Sequence, residues 1–177
     1  MDVHVIDLPK LTLAGFSGFV LQDRPGRIRR EWPYRDRIWA HLLTFLASNS
    51  GQIPGNVNSA AIYEVRDGDV SPSDGEGYQI FVGYQVEKTE ELPGELVVKQ
   101  IPPGLHAEFF IPGEPNWPSW EREMVKKWFG TSGYERSGAY TIHVYEEAGG
   151  SSDHVSNAIV ELFIPIQPSL DQPRLVD

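Results

Sequence analysis

Two stretches of this chain, VHVIDLPKLTLAGF from Val3 to Phe16 and LVVKQIPPGLHAEF from Leu96 to Phe109, follow one pattern at a constant offset of 93. Val5 matches Val98, Leu8 matches Ile101, Pro9 matches Pro102, Ala14 matches Ala107 and Phe16 matches Phe109. A half-domain written twice predicts two similar halves packed about a pseudo-twofold axis, with a cleft between them.

Each copy opens with alternating apolar residues, Val3 and Val5 and then Leu11 and Leu13 in the first, which predict a hairpin turning at Leu8-Pro9-Lys10. A helix near Pro33 to Ser48 follows, with Ile38, Trp39, Leu42, Leu43, Phe45 and Leu46 on a broad apolar face and Gly51 beyond its end. Strand-like runs from Ala60 to Val65 and Tyr78 to Val86 flank an acidic, turn-rich segment from Arg66 to Gly77. The second half repeats the order, with strands at Leu96 to Ile101 and Leu105 to Ile111, a helix at Pro118 to Phe129, and strands at Tyr140 to Tyr145 and Ala158 to Ile166. In that helix Trp120, Met124 and Trp128 share a face, Lys126 and Lys127 suit its negative end, and Gly130 and Gly133 stop it. The expected fold is α+β: duplicated β-β-α-β-β halves, an antiparallel eight-stranded sheet assembly, two main helices and a central ligand cleft. One domain is expected over residues 1–177, with half one at 1–90, half two at 94–168 and a tail at 169–177.

Fifteen basic against twenty-five acidic residues leave a net charge of −10, which argues against nucleic acid and anionic membrane surfaces and mildly favours cationic ligands. There is no cysteine for disulfides or thiolate metal sites, and the polar start MDVHVIDLPK lacks the form of a signal peptide. No apolar run spans a bilayer. The expected location is the cytoplasm.

Glu161 is the most informative single side chain, because it interrupts the apolar run Ala158 to Ile166. Alternation puts it on the face of Ile159 and Phe163, where an unpartnered carboxylate costs several kcal/mol. It therefore faces water, pairs with a donor or is held for a ligand. The matching strand, QIFVGYQV, has Phe81 at the equivalent place, which weakens the solvent reading. Aromatic residues gather on elements expected to border the cleft: Trp39, Trp120 and Trp128 on helices, and Tyr63, Phe81, Tyr84 and Tyr145 on strands. Aromatic walls over one carboxylate suit a planar, lipophilic, cationic molecule, each cation-π contact adding roughly 0.5 to 2 kcal/mol. Gly83 either leaves space for a ligand at the backbone or marks a bulge.

Other sites fail on their residues. The loop from Asp67 has proline where a calcium loop needs its turn glycine, and Tyr78 where it needs a bidentate glutamate. His4, His41, His106, His143 and His154 show no metal-ligand spacing, and no phosphate-cradling glycine motif is present. Neither a metal nor a cofactor is expected.

The order YQIFVGYQVEKTEELPGELVVKQIPPGLHAEFFIPG, WFGTSGYE, IHVYEEAG and VELFIPIQ, closing on Glu161 to Ile166, resembles the gyrase-inhibitor-like (GyrI-like) effector-binding domains over nearly the whole chain. The resemblance implies the duplicated fold and a ligand held between the halves by aromatics over a last-strand glutamate, here Glu161. It implies contacts from Trp39 and Tyr145, while His143 stands where that motif commonly has a glutamate. Many relatives carry a DNA-binding region ahead of this domain. Here the first repeat strand begins at Val3, so no such region and no direct transcriptional role are expected.

Three readings follow. The first is a stand-alone binder of lipophilic cations, with Glu161 balancing charge. The second, implied by stand-alone relatives that resemble cyclopropanoid hydrolases, is an enzyme in which Glu161 is a general base and Tyr145 or Trp39 orients the substrate. The third is an acidic face that engages a basic protein partner.

Overall fold

Proline decides how the two copies join. A two-residue hairpin loop needs a type I′ or II′ turn, with positive φ at its first residue, whereas proline holds φ near about −65°. Pro9-Lys10 separates strand β1 (Val3–Leu8) from β2 (Leu11–Val20), and Pro102-Pro103 separates β5 (Val97–Ile101) from β6 (Gly104–Ile111). Neither pair closes on itself, so the expected first hairpin does not form. Instead β1 pairs with β6 and β5 with β2, and the partners are those of the repeat with the copies exchanged: Val5 lies opposite Ala107, and Val98 opposite Ala14.

The computed structural model describes residues 3–20, 32–49, 61–68, 78–111, 117–145 and 160–170. Between the strands already named lie helix α1 (Trp32–Ser48), β3 (Ile62–Asp67) and β4 (Tyr78–Gln85). After β6 come α2 (Trp117–Phe129), β7 (Tyr134–Arg136), β8 (Tyr140–Tyr145) and β9 (Val160–Pro168). The antiparallel sheet runs β1-β6-β9-β8-β3-β4-β2-β5, with β7 added on β9. Among the described residues this makes nine strands where eight were expected; the extra one forms because Tyr134 to Arg136 pairs with Pro168 to Ile166. β3 extends two residues beyond its expected end, since Arg66 and Asp67 continue the ladder opposite Thr141 and Tyr140. Gly51, Ala158 and Ile159 lie outside the described residues.

Both helices pack on one face. The apolar side of α1, with Trp39, Leu42 and Phe45 buried, meets Val20, Ile62, Ile80 and Val82, while Val125, Trp128 and Phe129 of α2 pack against the same core. Gly18 lets α1 approach: a Cβ there would lie 2.5 Å from Ile38 Cδ1. Asn49 ends α1 with backbone and side-chain N–H groups on Phe45 O, at 3.0 and 2.9 Å, and Gly130 N–H meets Lys126 O at 3.1 Å beyond α2. The opposite face buries a second core of Leu8, Leu13, Val65, Phe81, Ile142, Val144 and Phe163. Strand alternation thus divides each strand between two apolar layers.

Gly83 is neither a ligand gap nor a bulge. It pairs directly with Gly15, and a Cβ on Gly83 would lie 2.3 Å from Ala14 O and 2.7 Å from the Phe81 ring. The two glycines let the backbones of β2 and β4 come together with an aromatic ring lying over the contact.

Candidate functional site

The two central strands, β3 and β8, meet along the middle of the sheet, and their helix-facing side chains form successive rungs. Ile62 lies between Tyr84 of β4 and Tyr145 of β8; Glu64 lies between Val82 and His143; Arg66 lies between Ile80 and Thr141. Residues 62, 64 and 66 share a face by the two-residue period of the strand. Above them, Arg35 and Trp39 stand four apart on α1 and so project together.

These residues converge on Glu64, whose side chain is fully buried. Its Oε2 accepts from Arg35 Nε at 2.7 Å and from Trp39 Nε1 at 2.6 Å. Its Oε1 accepts from Arg66 Nε at 2.7 Å and Nη2 at 2.6 Å. Burial opposes the charge, yet Arg66, Arg35, His143 and the Trp39 hydrogen bond outweigh it and hold the carboxyl at about 2, below the usual 4.5. The same carboxylate keeps the Arg35 guanidinium above its ordinary value against the effect of burial.

Arg35 sits in an aromatic enclosure. Its guanidinium carbon is 5.5 Å from the Trp39 ring centroid and 5.9 Å from that of Tyr145, and Nη2 donates to Tyr145 Oη at 2.9 Å. The two rings meet edge to face at 4.8 Å. Burial first, then the nearby Glu64 charge, raises the Tyr145 phenol above its normal range, so it stays protonated. Asp36, half exposed, lies 3.8 Å from Arg35 Nη1 at the outer side. On the neighbouring rung, the buried Tyr84 hydroxyl has no hydrogen-bond partner among the described residues.

The sheet separates the residues expected to share one cleft. Trp39, Tyr84 and Tyr145 lie on the helix face, and Trp39 and Tyr145 join the Glu64 cluster. Trp128 is also on that face, but it packs into an aromatic group of its own, edge-on to Phe109 at 5.5 Å and stacked on Tyr134 at 5.9 Å. Tyr63 and Phe81 belong to the opposite face. Glu161 is there too: it pairs with Val144 and Phe110, alternates with Leu162, and is partly exposed. The expected placement of Glu161 beneath Trp39 and Tyr145 is therefore corrected; the carboxylate there is Glu64. Trp120 is part of α2, but its side chain lies outside the described residues.

Sequence reasoning missed Glu64, Arg35 and Arg66, though each left a signal. Glu64 interrupts the strand IYEVRD as Glu161 interrupts its own, Arg66 follows at the same-face spacing, and Arg35 precedes Trp39 by one helical turn. Among the described residues no group of carboxylates and histidines could hold a metal ion, and no helix is long and apolar enough to cross a membrane. His106, buried, is engaged by Gly104 O at 2.8 Å and Tyr140 Oη at 3.1 Å. Asp67, the first residue of the rejected calcium loop, pairs with Lys99.

A family model for Cass2, described as an integron-associated effector binding protein, matches residues 5–166. Among solved structures, SAV2435 bound to tetraphenylphosphonium is similar over 94% of each chain, with a TM-score of 0.65 and 15% identity. The Vibrio cholerae integron cassette protein VCH_CASS2 is similar over 93% of this chain and 95% of its own, with a TM-score of 0.59 and 12% identity. A hydrolase encoded by lin2189 from Listeria innocua is similar over 93% of this chain and 91% of its own, with a TM-score of 0.54 and 11% identity. At such identities the likeness is one of fold. No curated protein matches the sequence.

Proposed function

Because the chain belongs to the Cass2 family of integron-associated effector binding proteins, a GyrI-like family, we propose that its ligand is a lipophilic cation held beneath α1 by Trp39, Tyr145 and Glu64. Small-molecule binding itself follows from the family. The observation that supports the finer reading is the enclosure of a cation, the Arg35 guanidinium, between two aromatic rings and a buried carboxylate. In so dry a setting each cation-π contact is worth about 2 kcal/mol. The tetraphenylphosphonium bound by SAV2435 is a ligand of the same chemical kind.

The chemistry of the cluster favours binding over turnover. A general base needs a carboxyl tuned toward neutral pH and an oxygen within reach of water. Glu64 is held at about 2 and both its oxygens already accept hydrogen bonds. Tyr145 and Glu161 also lie on opposite faces of the sheet, which favours the same reading.

Thermal unfolding with tetraphenylphosphonium and with a neutral aromatic compound of similar size tests the reading. A cation-specific rise in Tm for the wild type, lost in Trp39→Ala, is expected. Equal shifts with the neutral compound would overturn the cationic preference, and no shift with either would overturn the site.

A further inference from the structure

Arg35 already shows, in atomic detail, what the enclosure accepts. The group that fills it is planar, carries a delocalised positive charge and donates N–H bonds in two directions, from Nε to Glu64 Oε2 at 2.7 Å and from Nη2 to Tyr145 Oη at 2.9 Å. Its central carbon lies 5.5 and 5.9 Å from the ring centroids of Trp39 and Tyr145. The side chain comes from α1, which packs over the sheet face that supplies the carboxylate, so the cation and the carboxylate of the enclosure belong to different elements.

Resting on the function proposed above, we infer that Arg35 is a resident surrogate ligand, and that the external ligand is a planar aryl-amidinium or aryl-guanidinium that takes its place. Such a cation reproduces the contacts that Arg35 makes within the enclosure: an N–H on the Glu64 carboxylate, an N–H on the Tyr145 oxygen and a charge beside the two rings. A quaternary ammonium or phosphonium ion has charge and apolar surface but no N–H, and leaves both oxygens without that donor. Displacement leaves the Glu64 charge compensated, because Arg66 and Trp39 keep their bonds to it. The displaced guanidinium moves outward, toward the exposed Asp36 carboxylate, which lies 3.8 Å from Nη1. Wild-type affinity is thereby lowered by the competition of Arg35 with the ligand.

The probe is phenylguanidinium, titrated against wild type, Arg35→Ala and Arg35→Met by tryptophan fluorescence, with tetraphenylphosphonium run in parallel. Arg35→Ala empties the enclosure while leaving Arg66 on Glu64, and phenylguanidinium is expected to bind it at least tenfold more tightly than wild type. Arg35→Met refills the space without charge and is expected to show no such gain. In the wild type, the Arg35 Nε–H resonance of 15N-labelled protein is expected to shift and lose exchange protection as phenylguanidinium is added, which gives a reading even where Arg35→Ala does not fold. Unchanged phenylguanidinium affinity in a folded Arg35→Ala variant, or an Arg35 Nε–H unaffected at saturation, overturns the surrogate role. Tetraphenylphosphonium separates the two levels: Trp39-dependent binding of it with no gain for phenylguanidinium overturns this inference alone, and binding of neither cation overturns the proposed function as well.

Discussion

Glu64 and His143 lie directly opposite each other across the pairing of β3 with β8, at the centre of the sheet and on its helix-covered face. Each of the two central strands thus contributes one polar side chain to a rung that is otherwise apolar, with Val82 beyond Glu64 and Leu162 beyond His143. Two arginines and an indole close around the carboxylate, and the charge that results is buried but compensated.

Removing that charge leaves two guanidinium groups against a neutral side chain. Glu64→Gln is expected to lose about 3 to 5 kcal/mol of stability, the usual cost of breaking a buried pair from one side. Urea denaturation at neutral pH measures it; a loss below about 1 kcal/mol would show that the cluster does not hold α1 to the sheet.

Acid should act through the same residue. Burial, which opposes the charge, is outweighed by Arg66, Arg35 and His143, so the folded carboxyl titrates at about 2 rather than 4.5. A depressed folded value stabilises the fold above the unfolded value and loses that effect as pH falls. About 3 kcal/mol is therefore expected to disappear between about pH 5 and pH 2. Denaturation curves at pH 7, 4 and 3 should show the slope in wild type and a shallower one in Glu64→Gln.

Tyr84 gives a change of opposite sign. Its buried hydroxyl has no partner among the described residues, and an unsatisfied buried hydroxyl costs about 1 to 3 kcal/mol. Tyr84→Phe is expected to raise the Tm of the ligand-free protein; a fall of several degrees would mean that the hydroxyl is satisfied in solution.

Gly83→Ala tests the strand crossing. The new methyl would lie 2.3 Å from Ala14 O, a backbone atom that cannot step aside. A loss of about 1 to 3 kcal/mol is expected from overpacking. A variant as stable as wild type would place β2 and β4 farther apart than described.

Much of the architecture was legible because it depends on local chemistry. The strand alternation, the apolar face of α1 and the glycines after α2 each depend on short-range pattern, and the corresponding elements formed. The pairing of β1 with β6 and of β5 with β2 was legible only in part: Pro9 marked the junction, but its exclusion of tight hairpin turns bears on partner choice, which is a long-range matter. For the site, alternation showed that Glu161 lies with Phe163, yet periodicity cannot say which of two buried faces carries the helices. A sheet with apolar layers on both sides hides that distinction. Trp39 and Tyr145 stand out by residue type, whereas their carboxylate, Glu64, lies inside the strand-like run Ala60 to Val65, and its partner Arg66 falls in what reads as the turn-rich segment after it.

Glu64, and not Glu161, is the carboxylate proposed to receive the ligand's charge. Tryptophan quenching by tetraphenylphosphonium, titrated in wild type, Glu64→Gln and Glu161→Gln, tests it most directly, with circular dichroism establishing that each variant is folded. Affinity is expected to be at least tenfold weaker in Glu64→Gln, a loss of about 1.4 kcal/mol or more, and within about twofold of wild type in Glu161→Gln. Undiminished affinity in folded Glu64→Gln, with a loss in Glu161→Gln, would contradict it and move the site to the opposite face of the sheet.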